Sequence, residues 1–103
     1  MRFFVLGDVS VDLLFFLERI PEPGEEVPSR RALMKPGGGG GTLAAQLASL
    51  GHRVFLAGRV GKDPFAELAL SRVREVGVDL RHLQEDPEHT TSSGLILVVP
   101  GGE

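Results

Sequence analysis

Cysteine is absent from this 103-residue sequence, so neither a disulfide scaffold nor a thiolate metal site is open to it. Tryptophan and tyrosine are absent too, and six phenylalanines carry all the aromatic area. No apolar run approaches the ~20 residues that a membrane span requires. The start, Met1-Arg2-Phe3-Phe4-Val5-Leu6-Gly7-Asp8, is a poor signal peptide, because its apolar run is short and an acid follows almost at once. An excess of positive charge is also missing. The formal charge is −3, which disfavours a nucleic-acid partner. These absences lead to the expectation of a cytoplasmic protein, unprocessed at its N-terminus, that engages neither membrane nor nucleic acid.

What is present suits one small globular domain with one core: 42% hydrophobic and 24% charged residues. Phe3-Phe4-Val5-Leu6, stopped by Gly7, and Val54-Phe55-Leu56-Ala57, stopped by Gly58, are short continuous apolar runs. Such runs suit strands of a parallel sheet buried on both faces. Between them Leu43 to Leu50 reads as a helix, with Gly51 as its C-terminal stop. A second helix is better marked. Asp63 is its N-cap, Pro64 its first residue, Phe65, Leu68, Ala69, Val73 and Val76 its apolar stripe, and Gly77 its end. Val78 to Leu83 is expected to add a further strand. The resulting β–α–β–α–β series implies a parallel sheet with right-handed crossovers.

Three segments do not fit that plan. Leu13 to Leu17 and Val27 to Met34 look extended and are joined by the turn-like Pro21-Glu22-Pro23-Gly24. Leu95 to Val99 is a strong strand that runs into Pro100-Gly101-Gly102. They predict a second, smaller sheet beside the first. A hairpin that stops at its turn, with Glu103, leads us to expect a fragment of a longer chain. No linker divides the sequence.

The strongest chemical feature is Pro36-Gly37-Gly38-Gly39-Gly40-Gly41-Thr42, a glycine run leading straight into a helix. Bare backbone allows close approach to a ligand, and a helix start offers free N–H groups. The plain alternative is a flexible connector, which the adjoining helix disfavours. A dinucleotide fingerprint is weak here, because it should follow the first strand, and the P-loop pattern fails outright. Gly7-Asp8-Val9-Ser10-Val11-Asp12 lies at the carboxyl end of the first strand, where ligands of open α/β sheets bind. There a carboxylate can accept hydrogen bonds from two hydroxyls, although turn or cap duty would explain Asp8 and Asp12 as well. In Gly58-Arg59-Val60-Gly61-Lys62-Asp63-Pro64-Phe65 the capping role explains Asp63 fully. Thr90-Thr91-Ser92-Ser93 reads as a polar lead-in to a strand. His52, His82 and His89 are scattered, with no metal-ligand spacing.

In this order the segments resemble the N-terminal third of a ribokinase-like (PfkB) carbohydrate kinase. That family opens with G-[DE]-x-x-x-D, matched from Gly7 to Asp12. It continues with G-G-x-x-x-N-x-A-x-x-[LA]-x-x-L-G, matched from Gly37 to Gly51, and G-x-V-G-x-D-x-F-G, matched from Gly58 to Phe65. A threonine-led strand and turn from Thr91 to Glu103 completes the likeness, which spans essentially the whole chain.

The resemblance implies a Rossmann-like α/β core with a small β-sheet lid. Residues 1–103 would be the N-terminal part of a single such domain, with lid strands around 13–34 and 91–103. It implies an ATP-dependent sugar kinase that needs Mg²⁺, and leaves open whether a monovalent cation is also required. Asp12 and Ser10 would bind sugar hydroxyls, Gly37, Gly38 and Gly39 would pack backbone on the sugar, and lid strands would form a homodimer. Two positions depart from the pattern: Thr42 stands where the family has Asn, and Ala66 where it has Gly. The late G-A-G-D motif that carries the family's base is not in this sequence, so the chain would lack catalytic, ATP-binding and metal-binding residues and be inactive alone. The rival expectation is a stand-alone, non-catalytic module that binds a sugar or assembles through its lid strands.

Overall fold

The computed structural model describes residues 1–101; the last part of the expected strand-and-turn segment, residues 102 and 103, lies outside them. Nine elements follow in order: β1 (Arg2–Leu6), β2 (Ser10–Phe16), β3 (Arg31–Gly37), α1 (Gly39–Ser49), β4 (Arg53–Ala57), β5 (Arg59–Gly61), α2 (Pro64–Glu75), β6 (Gln84–Asp86) and β7 (Ser92–Val98). β1 and β4 pair in parallel, and Asp79 adds a single parallel bridge to Phe55. β2 is the middle strand of a second sheet, antiparallel to β3 and parallel to β7. β5 and β6 form a short parallel pair.

The core lies where α1 covers one face of β1–β4 and α2 packs beside it against β2 and β3. Val5, Val54 and Leu56 point into it from the strands, and Ala44, Leu70 and Val73 from the helices. Val11 joins them from the base of the second sheet, so the two sheets share one core. On β1 only alternate residues are buried: Phe4 and Leu6 are 61% and 81% exposed, so the apolar run is covered on one face, not both as expected. On that open face Phe4 stacks on Phe55 at 6.3 Å between ring centroids, with His82 5.2 Å from Phe4.

Several boundaries differ from the sequence expectation: β2 begins at Ser10 instead of Leu13, and β7 at Ser92 instead of Leu95. The first helix begins at Gly39, so three of the five glycines form its first turn instead of a loop. Only Arg31 onward of the expected 27–34 segment is strand. The Val78–Leu83 strand shrinks to the Asp79 bridge, because the Asp79 carboxylate takes the Arg81 backbone N–H at 3.0 Å and turns the chain, closed by Leu83 N to the Leu80 carbonyl. β5 and β6, three residues each, carry no periodic signal; the first lies in what read as a simple turn. By contrast α2 is built as expected, with Asp63 accepting the Ala66 N–H at 3.1 Å and Gly77 following the helix at φ 81°.

Glycine is required where α1 meets the end of β1. A Cβ on Gly40 would lie 2.6 Å from the Gly7 carbonyl carbon, and one on Gly7 2.9 Å from the Gly40 Cα. The two backbones are in direct contact, and Gly41 N–H donates to the Asp8 carbonyl at 3.0 Å. Gly41 itself has open space at its Cβ position. Gly40→Ala is therefore expected to destabilise the fold by ~1–3 kcal/mol, as overpacking does. Gly41→Ala is expected to be neutral or to stabilise by about 0.4–1 kcal/mol through the unfolded chain. Urea denaturation of the two variants checks the contrast.

Candidate functional site

The carboxyl end of β1 brings Asp8, Ser10 and Asp12 to the junction of the two sheets. Ser10 and Asp12 face the same side of β2, because strand side chains alternate. Ser10 pairs with Gly37 on β3 and Ser92 on β7, and Asp12 with Lys35 and Gly94. The Asp12 carboxylate lies on the Gly37 backbone: a Cβ there would sit 2.7 Å from its Oδ2. A Cβ on Gly94 would come within 3.3 Å of its Oδ1. Thus one half-buried carboxylate is flanked on two sides by backbone without side chains. Asp63, Asp79 and Asp86 are taken up by neighbouring donors, whereas among the described residues no protein donor binds Asp12.

The other expected site residues are less uniform. Gly38 has φ 87°, and a Cβ on it would strike the Asp8 carbonyl oxygen at 2.5 Å. Its close approach is thus to the chain's own backbone. It is the N-cap of α1, without a capping side chain. Gly39 is exposed with open space around it. Thr42 is exposed, donates its N–H to the Gly38 carbonyl at 3.0 Å, and lines a narrow crevice with Gly37 and the α2 residues Ala69 and Arg72. Asp8 lies apart from Asp12, on an open hollow of about 430 Å³ at the ends of β1 and β4, with Arg59 and His82.

A second polar cluster anchors β7. Thr91 is 2% exposed. Its hydroxyl accepts the Gly61 N–H at 3.0 Å and donates to Asp63 Oδ1 at 2.7 Å, while its own N–H donates to Asp63 Oδ2 at 2.7 Å. Asp63 is therefore not explained by capping alone: it also holds the start of β7, and thereby the placement of Gly94 beside Asp12. The Thr91 backbone N–H and hydroxyl, in that order, hold the Asp63 carboxyl below its usual pKa. Sequence reasoning missed both Gly94 and Thr91. A glycine within a strand was the available signal for the first; for the second, the threonine-led strand of the resemblance begins at Thr91, but nothing in the sequence indicated its burial or its bonds to Gly61 and Asp63.

Residues 2–103 match the sequence profile of the pfkB family carbohydrate kinases. The fructokinase of Escherichia coli is 37% identical over 102 residues, covering 99% of this chain and 30% of that protein. The ribokinase of Bacillus subtilis is 32% identical over 99 residues, covering 96% of this chain and 33% of its own length. The chain thus spans about a third of the curated relatives it matches. Among solved structures, Arabidopsis thaliana ribokinase complexed with ribose and ATP superposes with a TM-score of 0.94 at 24% identity, over 98% of this chain and 33% of that one. Ribokinase from Cryptococcus neoformans in complex with ADP gives 0.86 at 29% identity, over 99% and 32%. The fold is accordingly ribokinase-like.

Because its carboxyl is held below its unfolded pKa of about 3.9, Asp63 contributes stability above that value and loses it as pH falls through the lower folded value. Thr91→Val is expected to cost ~1–3 kcal/mol near neutral pH, since the Gly61 N–H is left without an acceptor. It should also flatten the acid side of the stability profile. Denaturant melts of both proteins between pH 7 and pH 2 measure the two effects.

Proposed function

The chain belongs to the pfkB family of carbohydrate kinases, and on that premise we propose that it is the sugar-holding part of an ATP-dependent sugar kinase, which transfers the γ-phosphoryl group of ATP to a sugar hydroxyl. In this reading residues 1–103 are the N-terminal portion of one ribokinase-like domain, and β2, β3 and β7 are its lid. The observation that carries it is the Asp12 carboxylate, half-buried on the Gly37 backbone and free of protein donors among the described residues. Such a group accepts charge-assisted hydrogen bonds from neighbouring hydroxyls of a polyol. Ser10 adds a hydroxyl from the same face of β2. Gly37, Gly38 and Gly39 present backbone to the sugar, and Thr42 offers one hydroxyl at the start of α1, where polar backbone groups favour oxygen ligands.

The ADP in the Cryptococcus neoformans ribokinase supports ATP as the phosphoryl donor here. Phosphoryl transfer needs positioned phosphates, a metal and a base. Among the described residues no group of three or more His, Asp or Glu is placed to hold a metal ion. In the proposed reading nucleotide, metal and base belong to the remainder of a longer kinase, and this portion alone is inactive. The lid's other face carries the apolar row Met34–Leu13–Leu95, with Met34 54% and Leu95 66% exposed, which supports a homodimer through the lid. No described helix is long and apolar enough to cross a membrane, and a cytoplasmic location goes with the same reading.

A coupled ADP-release assay on the full-length gene product, across furanoses, keto-sugar acids and nucleosides, is expected to respond to at least one of them. A flat response to all would overturn the kinase reading. Asp12→Ala is expected to weaken sugar binding about 10- to 100-fold, as loss of a charged hydrogen bond worth ~1.5–3 kcal/mol does, with the melting temperature little changed.

A further inference from the structure

β1 is paired along one edge alone. Its partner is β4, and Asp79 extends the sheet on the far side of β4. Among the described residues no strand meets the other edge of β1. The Met1 carbonyl accepts the Arg53 N–H at 3.1 Å, and the Gly7 N–H donates to the Ala57 carbonyl at 3.1 Å. The odd-numbered residues of this stretch therefore turn their backbone groups toward β4. Because direction alternates along a strand, Arg2, Phe4 and Leu6 turn theirs to the open edge.

The same three residues lie on an open face. α1 covers the side that carries Val5, Val54 and Leu56. The opposite side carries the rows Arg2–Arg53, Phe4–Phe55 and Leu6–Ala57. Phe4 and Leu6 are mostly exposed there. Arg2 and Arg53 are exposed as well, and among the described residues neither forms an ion pair. Arg53 lies over the Phe55 ring at 5.4 Å. Arg81 reaches the same ring but is held by Asp79 at 2.9 Å. The face is thus an apolar strip with two unengaged arginines at one end.

Parallel sheets occur with helices on both faces, and an unpaired edge is a template for a further strand. The relatives carry about two thirds of their length outside the segment matched here, enough to supply a strand and a helix. A second copy of this chain fits less well, because these rows hold two arginines and no acid, and a copy would present the same.

We propose that the open side of β1 is the docking surface for another part of the full-length kinase. A strand joins the β1 edge, and a helix lays an apolar stripe on Phe4, Leu6 and Phe55 with acidic side chains set against Arg2 and Arg53. The inference rests on the reading that this chain is a portion of a longer kinase, and it adds where the remainder joins and with what charge.

The test compares the 103-residue chain with the full-length gene product. Amide exchange of the unsubstituted proteins is read by NMR. In the 103-residue chain the Phe4 and Leu6 N–H groups should exchange about tenfold faster than those of Phe3 and Val5, or faster still, and in the full-length product they should be as slow. Leu6→Gln should leave the melting temperature of the 103-residue chain unchanged and lower that of the full-length product by about 3–10 °C, as loss of a buried leucine does. Replacing both arginines, Arg2→Glu with Arg53→Glu, should destabilise the full-length product alone, and Arg2→Lys with Arg53→Lys should not. Fast exchange at Phe4 and Leu6 in the full-length product, or an equal response of both proteins to Leu6→Gln, would overturn the docking, while sugar-dependent ADP release by that product would keep the kinase reading. Full tolerance of the double glutamate variant would overturn the acidic complement. Slow exchange at both amides in a full-length product that phosphorylates no sugar would support the docking and overturn the kinase reading. Self-association of the 103-residue chain that protects both amides and is broken by Leu6→Gln would give the surface to a second copy and overturn the proposal, as would a gene that ends at codon 103.

Discussion

The site depends on one backbone-to-backbone contact, the crossing of Gly7 at the end of β1 with Gly40 in the first turn of α1. At that distance no side chain fits on either residue. The contact places the first turn of α1 at the carboxyl end of β1, where Asp8 accepts the Gly41 N–H and Gly38 packs on the Asp8 carbonyl. Gly37 then follows as the last residue of β3, under Asp12 of β2. The glycine run is therefore less a flexible loop than a set of separate steric permissions. Gly38 supplies a positive φ, Gly40 a contact with β1, and Gly37 a seat for a carboxylate.

The second sheet has to be held over that junction, and Thr91 does much of the holding. Its hydroxyl and N–H are shared between Gly61 and Asp63, so the start of β7 is tied to both β5 and the N-terminus of α2. The cost of burying a polar side chain is offset because each of its groups has a partner. One aspartate thus serves as helix cap and as anchor for a strand that arrives 28 residues later. The engaged carboxylates hold the fold, whereas the half-buried Asp12 has no protein donor among the described residues.

Legibility followed the length of the signal. β1, β4 and α2 announced themselves through apolar runs, a 3.6-residue stripe, Asp63-Pro64 at one end and Gly77 at the other. β5 and β6 were too short to carry a period, and their pairing joins residues distant in sequence. The start of α1 was misplaced because glycine disfavours helix on propensity, while the contact with Gly7 that makes glycine necessary is invisible in the local sequence. Val78–Leu83 looked like a strand because its apolar content was right, but the Asp79–Arg81 bonds bend it. The candidate residues were legible as types: a carboxylate after a first strand and glycines before a helix.

By itself the sequence determined the elements whose causes are local: which runs can be strands, where α2 begins and ends, and that the glycines precede a helix. It also carried the family motifs in order, and with them the ribokinase-like fold. Only the tertiary structure decided that Asp12 rests on Gly37, that Lys35 and Gly94 share its row, and that Asp63 reaches Thr91. The reason is physical. Periodicity and capping are set by neighbours within a few residues, whereas strand register and close backbone contacts join residues far apart in the chain and exist only once the sheets are paired.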